Sequence, residues 1–103
     1  MDHAPVTMAI LSARQTAARL KKVPEWSKRY RTIRRTFVFK GFMGSVRFVN
    51  RVAARAEKSD HHPDIDIRWN KVTLALSTHS EGGITDKDFA LARQSDRIYA
   101  RSH

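Results

Sequence analysis

Between Thr36 and Leu76 the spacing of the apolar residues changes twice, and this limits the folds open to the chain. Thr36-Phe37-Val38-Phe39 is rich in strand formers, and Ile33 extends the alternation backwards. Phe37 and Phe39 share one face, which is expected to be buried. From Phe42 to Lys58 the period becomes three to four. Phe42, Val46, Val49, Ala53 and Ala56 recur, and Phe48 and Val52 widen the stripe. This predicts an amphipathic helix that ends before His62, because a proline disfavours helix at the residue preceding it. Ile65, Ile67 and Trp69 then alternate, Asn70-Lys71 follows, and Val72, Leu74 and Leu76 alternate again, which reads as a hairpin. On its second strand Thr73, Ala75, Ser77 and His79 share the face opposite Leu74 and Leu76.

The flanks complete the pattern. Ser12 and Gln15 have capping-box spacing, so a helix is expected from near Ala13, ended by Pro24, with Leu20, Val23 and the alanines inward. Ser27 to Lys40 reads as two strands with a turn near Tyr30 to Thr32. Gly82-Gly83 makes a loop. Thr85 and Asp88 then open a last helix through Ile98, with Phe89, Ala92 and Ile98 inward. The order α-β-β-α-β-β-α with short links predicts an α+β domain with antiparallel strands and helices on one sheet face. One domain over residues 1–103 is expected, with 1–11 a flexible N-terminal extension.

The chain has no cysteine, which removes disulfides, thiolate metal sites and cysteine nucleophiles. No stretch approaches the ~20 apolar residues of a membrane-spanning helix. The first 22 residues hold Arg14, Arg19, Lys21 and Lys22 against Asp2, a composition like that of a mitochondrial presequence. We read them instead as the first helix of the fold, which favours a cytoplasmic location over a mitochondrial one.

Chemistry concentrates in Glu57-Lys58-Ser59-Asp60-His61-His62-Pro63-Asp64, with His79 at the end of the next apolar run. Imidazole both gives and takes protons near neutral pH, its ordinary pKa being ~6.5. Two such groups facing one pocket can run an acid–base reaction without a metal. The competing readings are structural. Histidines at a helix C-terminus complement the dipole, Asp88 is a capping partner of Thr85, and Trp26 and Trp69 suit a core or an interface. A three-histidine zinc site is the rival chemistry. Against it, adjacent histidines in extended chain point to opposite sides, and there is no HExxH pattern.

The formal charge of +10 favours contact with anions. The run Lys28, Arg29, Arg31, Arg34 and Arg35 reads first as a solvated, charge-protected edge strand. Tyr30, Phe37 and Phe39 interleave with it, but no RNP, KH or zinc-finger pattern accompanies them. Nucleic acid is therefore not expected as the main partner, nor is a membrane.

Glu57, His61-His62-Pro63, Trp69, His79 and Asp88, together with the flanks Phe48-Val49-Asn50-Arg51-Val52-Ala53, Trp69-Asn70-Lys71-Val72, Ser77-Thr78-His79 and Gly83-Ile84-Thr85, carry a resemblance. From about Ser12 to Ile98 the chain resembles the pterin-4a-carbinolamine (4a-hydroxytetrahydrobiopterin) dehydratases. Glu25 stands where the family often has glycine before the tryptophan matching Trp26. The resemblance implies a four-stranded antiparallel sheet with helices on one side. It implies a hydro-lyase that converts a 4a-hydroxytetrahydropterin to the quinonoid dihydropterin and water in tetrahydrobiopterin recycling. It also implies no cofactor or metal, a homodimer or homotetramer, and a functional link to an aromatic amino acid hydroxylase. It assigns proton transfer mainly to His61 and His79 and pterin binding chiefly to His62. Asp60, Pro63, Ser77, Thr78 and Ser80 would line the site. Asp88 and Glu57 would orient histidines or the pterin, and Trp26 would supply an aromatic wall. The alternative, also within the resemblance, is a non-catalytic binding or assembly module on the same fold, with the basic surface as its contact.

Overall fold

The computed structural model describes residues 9–102. Its elements are α1 (Ala13–Leu20), β1 (Ser27–Arg29), β2 (Thr32–Val38), α2 (Phe42–Ser59), β3 (Asp64–Arg68), β4 (Lys71–Leu76), a 3-10 turn (His79–Glu81) and α3 (Asp86–Arg101). The strands form one antiparallel sheet in the order β1-β2-β4-β3. The expected α+β order and four-stranded sheet are observed.

The register explains why the helices lie on one face. Ile33 pairs with Leu76, Arg35 with Leu74 and Phe37 with Val72, and the apolar members of these pairs are fully buried. The intervening pairs, Arg34 with Ala75, Thr36 with Thr73 and Val38 with Lys71, form the opposite face. There the Thr36 and Thr73 hydroxyls share a hydrogen bond of 2.8 Å. The core joins the first face to Phe48, Val52 and Ala56 of α2 and to Phe89, Leu91 and Ala92 of α3. Phe37 and Phe48 sit 4.6 Å apart between ring centres.

Both expected capping boxes form, Ser12 with Gln15 and Thr85 with Asp88. Other expectations need correction. In α1 the alanines face solvent and Thr16 is the buried residue. In α2 the expected Phe48, Val52 and Ala56 are buried together with Ser45, but Phe42 is 50% exposed and Ala53 is exposed. The apolar pattern was broad enough to fit two stripes, and the polar member, Ser45, marks the true one. The last helix runs three residues past Ile98. Of the expected N-terminal extension, residues 1–8 lie outside the described residues. Leu11 packs on the core, and its N–H donates to the Ile84 carbonyl at 2.9 Å.

The stripe can be tested directly. Phe48→Ala is expected to lower stability by about 3–5 kcal/mol in urea unfolding. Phe42→Ala, on the same helix but half in solvent, should change it by under about 1 kcal/mol. Equal losses would favour the stripe read from the sequence.

Candidate active site

The C-terminus of α2 sets the geometry. Asp60 caps the helix at φ 50, a left-handed conformation uncommon outside glycine, asparagine and aspartate. Its N–H reaches the Ala56 and Glu57 carbonyls, and the His61 N–H reaches Ala56 at 3.0 Å. This reversal sends His61 inward and leaves His62 outside; His61 is buried and His62 is exposed.

His61 meets a carboxylate delivered by α3. Its Nε2 lies 2.6 Å from Asp88 Oδ1. Asp88 is fully buried, and its other oxygen accepts from the Thr85 N–H at 2.9 Å and from the Thr78 hydroxyl at 3.0 Å. The Thr78 and Thr85 hydroxyls are 2.7 Å apart. A carboxylate is acceptor-only. Beside an ionised Asp88, Nε2 therefore carries a proton and donates it, so that in the neutral ring the lone pair lies on Nδ1. The capping residue and the histidine's partner are one side chain, so the capping and functional readings of Asp88 coexist.

His62 Nε2 lies 2.7 Å from Glu57 Oε1, one turn back on α2. This pair is solvated, with the glutamate side chain 80% exposed. Such pairs contribute about 0–1 kcal/mol, so His62 is lightly tethered and His61 is fixed.

His79 does not end a strand, as expected from the alternation. β4 stops at Leu76, and His79 begins the 3-10 turn. The turn closes through Thr78 N–H to Gly83 carbonyl, 2.9 Å, and Gly82 N–H to Thr78 carbonyl, 2.9 Å. Gly82 takes φ 75, which suits a residue without Cβ. This tight return presents His79, exposed, beside His61 and His62.

Asp60, His61, His62, Ser77, Thr78, His79, Ser80 and Lys87 line one cleft of about 200 Å³. Pocket volumes for drug-sized ligands run to roughly 300–1,000 Å³, so this cleft suits a small ring system with its substituents outside. Among the described residues no group of three or more His, Cys, Asp or Glu is arranged to hold a metal ion.

Trp26 is not brought to the cleft. It is buried in the core, edge-on to Phe37, and its Nε1 donates to Asp96 at 2.9 Å. Arg35 reaches the same Asp96 oxygen at 2.7 Å. Pro63 and Glu57 border the histidines without lining the cleft. The sequence reading passed over Lys87, which lines it. Its position just before Asp88, at the start of the helix whose cap holds His61, was the available signal.

A family model described as pterin 4 alpha carbinolamine dehydratase matches residues 9–98. The chain belongs to this family. It is 52% identical over 94 residues to a "putative pterin-4-alpha-carbinolamine dehydratase" of Mycobacteroides abscessus, covering 91% of this chain and all of that one. A protein of the same name from Nocardia farcinica is 46% identical, over 90% of this chain and 98% of its own. A crystal structure of a transcriptional coactivator/pterin dehydratase from Brucella melitensis superposes with a TM-score of 0.85 at 34% identity, covering 88% of this chain and 99% of that one. A pterin dehydratase-like protein identified as a RuBisCO assembly factor of the alpha-carboxysome shares the fold, with a TM-score of 0.59 at 20% identity over 72% and 86% of the two chains.

Asp88→Asn should cost about 1–3 kcal/mol, because the new NH₂ group faces donors instead of accepting from them. The readout is a lower urea midpoint with an unchanged slope. Glu57→Gln, on the solvated pair, should shift stability by under about 1 kcal/mol. Similar losses in both variants would contradict the assigned network.

Proposed function

We propose that this chain dehydrates a 4a-hydroxytetrahydropterin to the quinonoid dihydropterin. The observation that carries the reading is the buried His61–Asp88 pair at a cleft shared with His62 and His79. Dehydration breaks the N5–H and C4a–O bonds and forms the C4a=N5 double bond. A base must take the N5 proton, and an acid must protonate the departing hydroxyl.

In this reading His61 Nδ1 is the base. Asp88 holds the ring in the required tautomer and stabilises the imidazolium formed when the N5 proton arrives. His79, in its protonated form, gives its proton to the hydroxyl, which leaves as water. Solvent restores both rings, and His79 is exposed enough to exchange. His62 binds and orients the pterin from its solvated tether to Glu57. Asp60, Ser77, Thr78, Ser80 and Lys87 surround the ring system, and Pro63 fixes the direction of the chain between His62 and β3.

The reading carries with it a place in tetrahydropterin recycling, after an aromatic amino acid hydroxylase, in the cytoplasm. It also carries self-association as a homodimer or homotetramer. The unpaired β3 edge exposes part of Ile65, Ile67 and the turn residue Trp69, which suits such a contact.

Stopped-flow absorbance of 4a-hydroxytetrahydropterin decay, with a chelator present, tests the activity. Acceleration by the protein is expected. A folded protein that gives none would favour the non-catalytic assembly reading. His61→Ala and His79→Ala should each lower kcat by about 10²–10⁴-fold with an unchanged circular dichroism spectrum. His62→Ala should act mainly on KM. Normal turnover in all three would overturn the assignment.

A further inference from the structure

The charge of the chain is unevenly distributed. Ten of its 20 Lys and Arg residues lie between Ser12 and Lys40, a stretch whose single carboxylate is Glu25. Folded, this stretch is α1, β1 and β2, so positive charge gathers at the β1 side of the sheet. Within it Arg19 pairs with Asp86 and Arg35 with Asp96. Lys28, Arg29, Arg31 and Arg34 of the hairpin reach no carboxylate among the described residues.

Edge protection accounts for Lys28 and Arg29, which lie on an unpaired strand. It does not account for the tip. Tyr30 is 83% exposed and held at φ 55. A left-handed backbone is unfavourable for a bulky side chain, and glycine or asparagine would make the same turn with less strain. The chain instead keeps an aromatic ring in water between two cations. Beside it opens a cleft of about 540 Å³ lined by Lys28, Tyr30 and Arg31, by the apolar Ile10, Leu11 and Ile84, and by one carboxylate, Glu81. It shares no lining residue with the histidine cleft; the turn from His79 to Gly83 separates the two.

A basic surface with an exposed aromatic ring and an apolar recess matches one ligand chemistry: a phosphate chain carrying unstacked planar bases. We propose that the β1–β2 hairpin and this cleft bind single-stranded nucleic acid without sequence preference. One base stacks on Tyr30 at the mouth of the cleft. Phosphates on either side meet Lys28 and Arg31 at the cleft, and Arg29 and Arg34 across the hairpin. A duplex offers no free base to Tyr30. The surface is independent of the dehydratase reading.

Fluorescence anisotropy of labelled 20-mer oligothymidine and oligouridine with the full chain, from 50 to 200 mM salt, tests this. Contact with about four phosphates predicts a log–log salt slope near −3. Lys28→Ala with Arg31→Ala should make the slope shallower by about 1.4. Tyr30→Asn, which preserves the left-handed turn, should weaken binding roughly tenfold with little change in slope. Arg47→Ala with Arg55→Ala, a charge-matched pair exposed on α2, should change neither. Binding of either oligomer with this pattern supports the proposal. Absence of binding at 50 mM salt overturns it. So does equal weakening by the α2 pair, or duplex binding as tight as single-strand binding and indifferent to Tyr30→Asn.

Discussion

One buried carboxylate holds the site and much of the fold together. Asp88 accepts from the Thr85 N–H, the Thr78 hydroxyl and His61. These contacts join the first turn of α3 to the end of α2 and to the loop after β4. A buried carboxylate is costly unless its oxygens are hydrogen-bonded, and here the partners come from three parts of the chain at once. Misplacing any of them would leave the charge uncompensated. The requirement that stabilises the fold therefore also fixes the tautomer and orientation of His61.

The division between the two adjacent histidines follows from local backbone geometry. Asp60 in the left-handed cap turns the chain so that His61 points inward and His62 outward. One ring is held by a buried partner and suits proton transfer. Its neighbour is held by a solvated glutamate and can adjust to a ligand. Sequence adjacency thus yields different environments, which a reaction needing distinct groups requires.

Much of this was legible in the sequence, for definable reasons. The change of period at Phe42, the prolines and the capping pairs are local signals, and they located the elements closely. The cluster His61, His62 and His79 was legible through residue type and spacing, whereas Asp88 read as a helix cap and entered the site only through the family resemblance. The missing parts depend on tertiary contact. Phe42, Val46, Phe48 and Val52 all suit a core, and packing alone decided which faced inward. Trp26 suited a core by its type, as found, while the resemblance put it at the site; its indole N–H is committed to Asp96, which also binds Arg35. The alternation through His79 suggested strand, but the closing bonds between Thr78 and Gly83 fold it into a turn. The alternation placed Phe37 in the core, as found, but nothing in the basic run revealed how fully Tyr30 stands in solvent.

The central claim is that Asp88 fixes the His61 ring with its proton on Nε2 and its lone pair on Nδ1. Two-bond ¹H–¹⁵N correlation spectra of the histidine rings in the labelled protein read this directly. The account predicts a protonated, pyrrole-type Nε2 for His61, with the lone pair on Nδ1 in the neutral ring. A proton on Nδ1 with Nε2 bare would contradict it, because Nε2 could not then donate to Asp88.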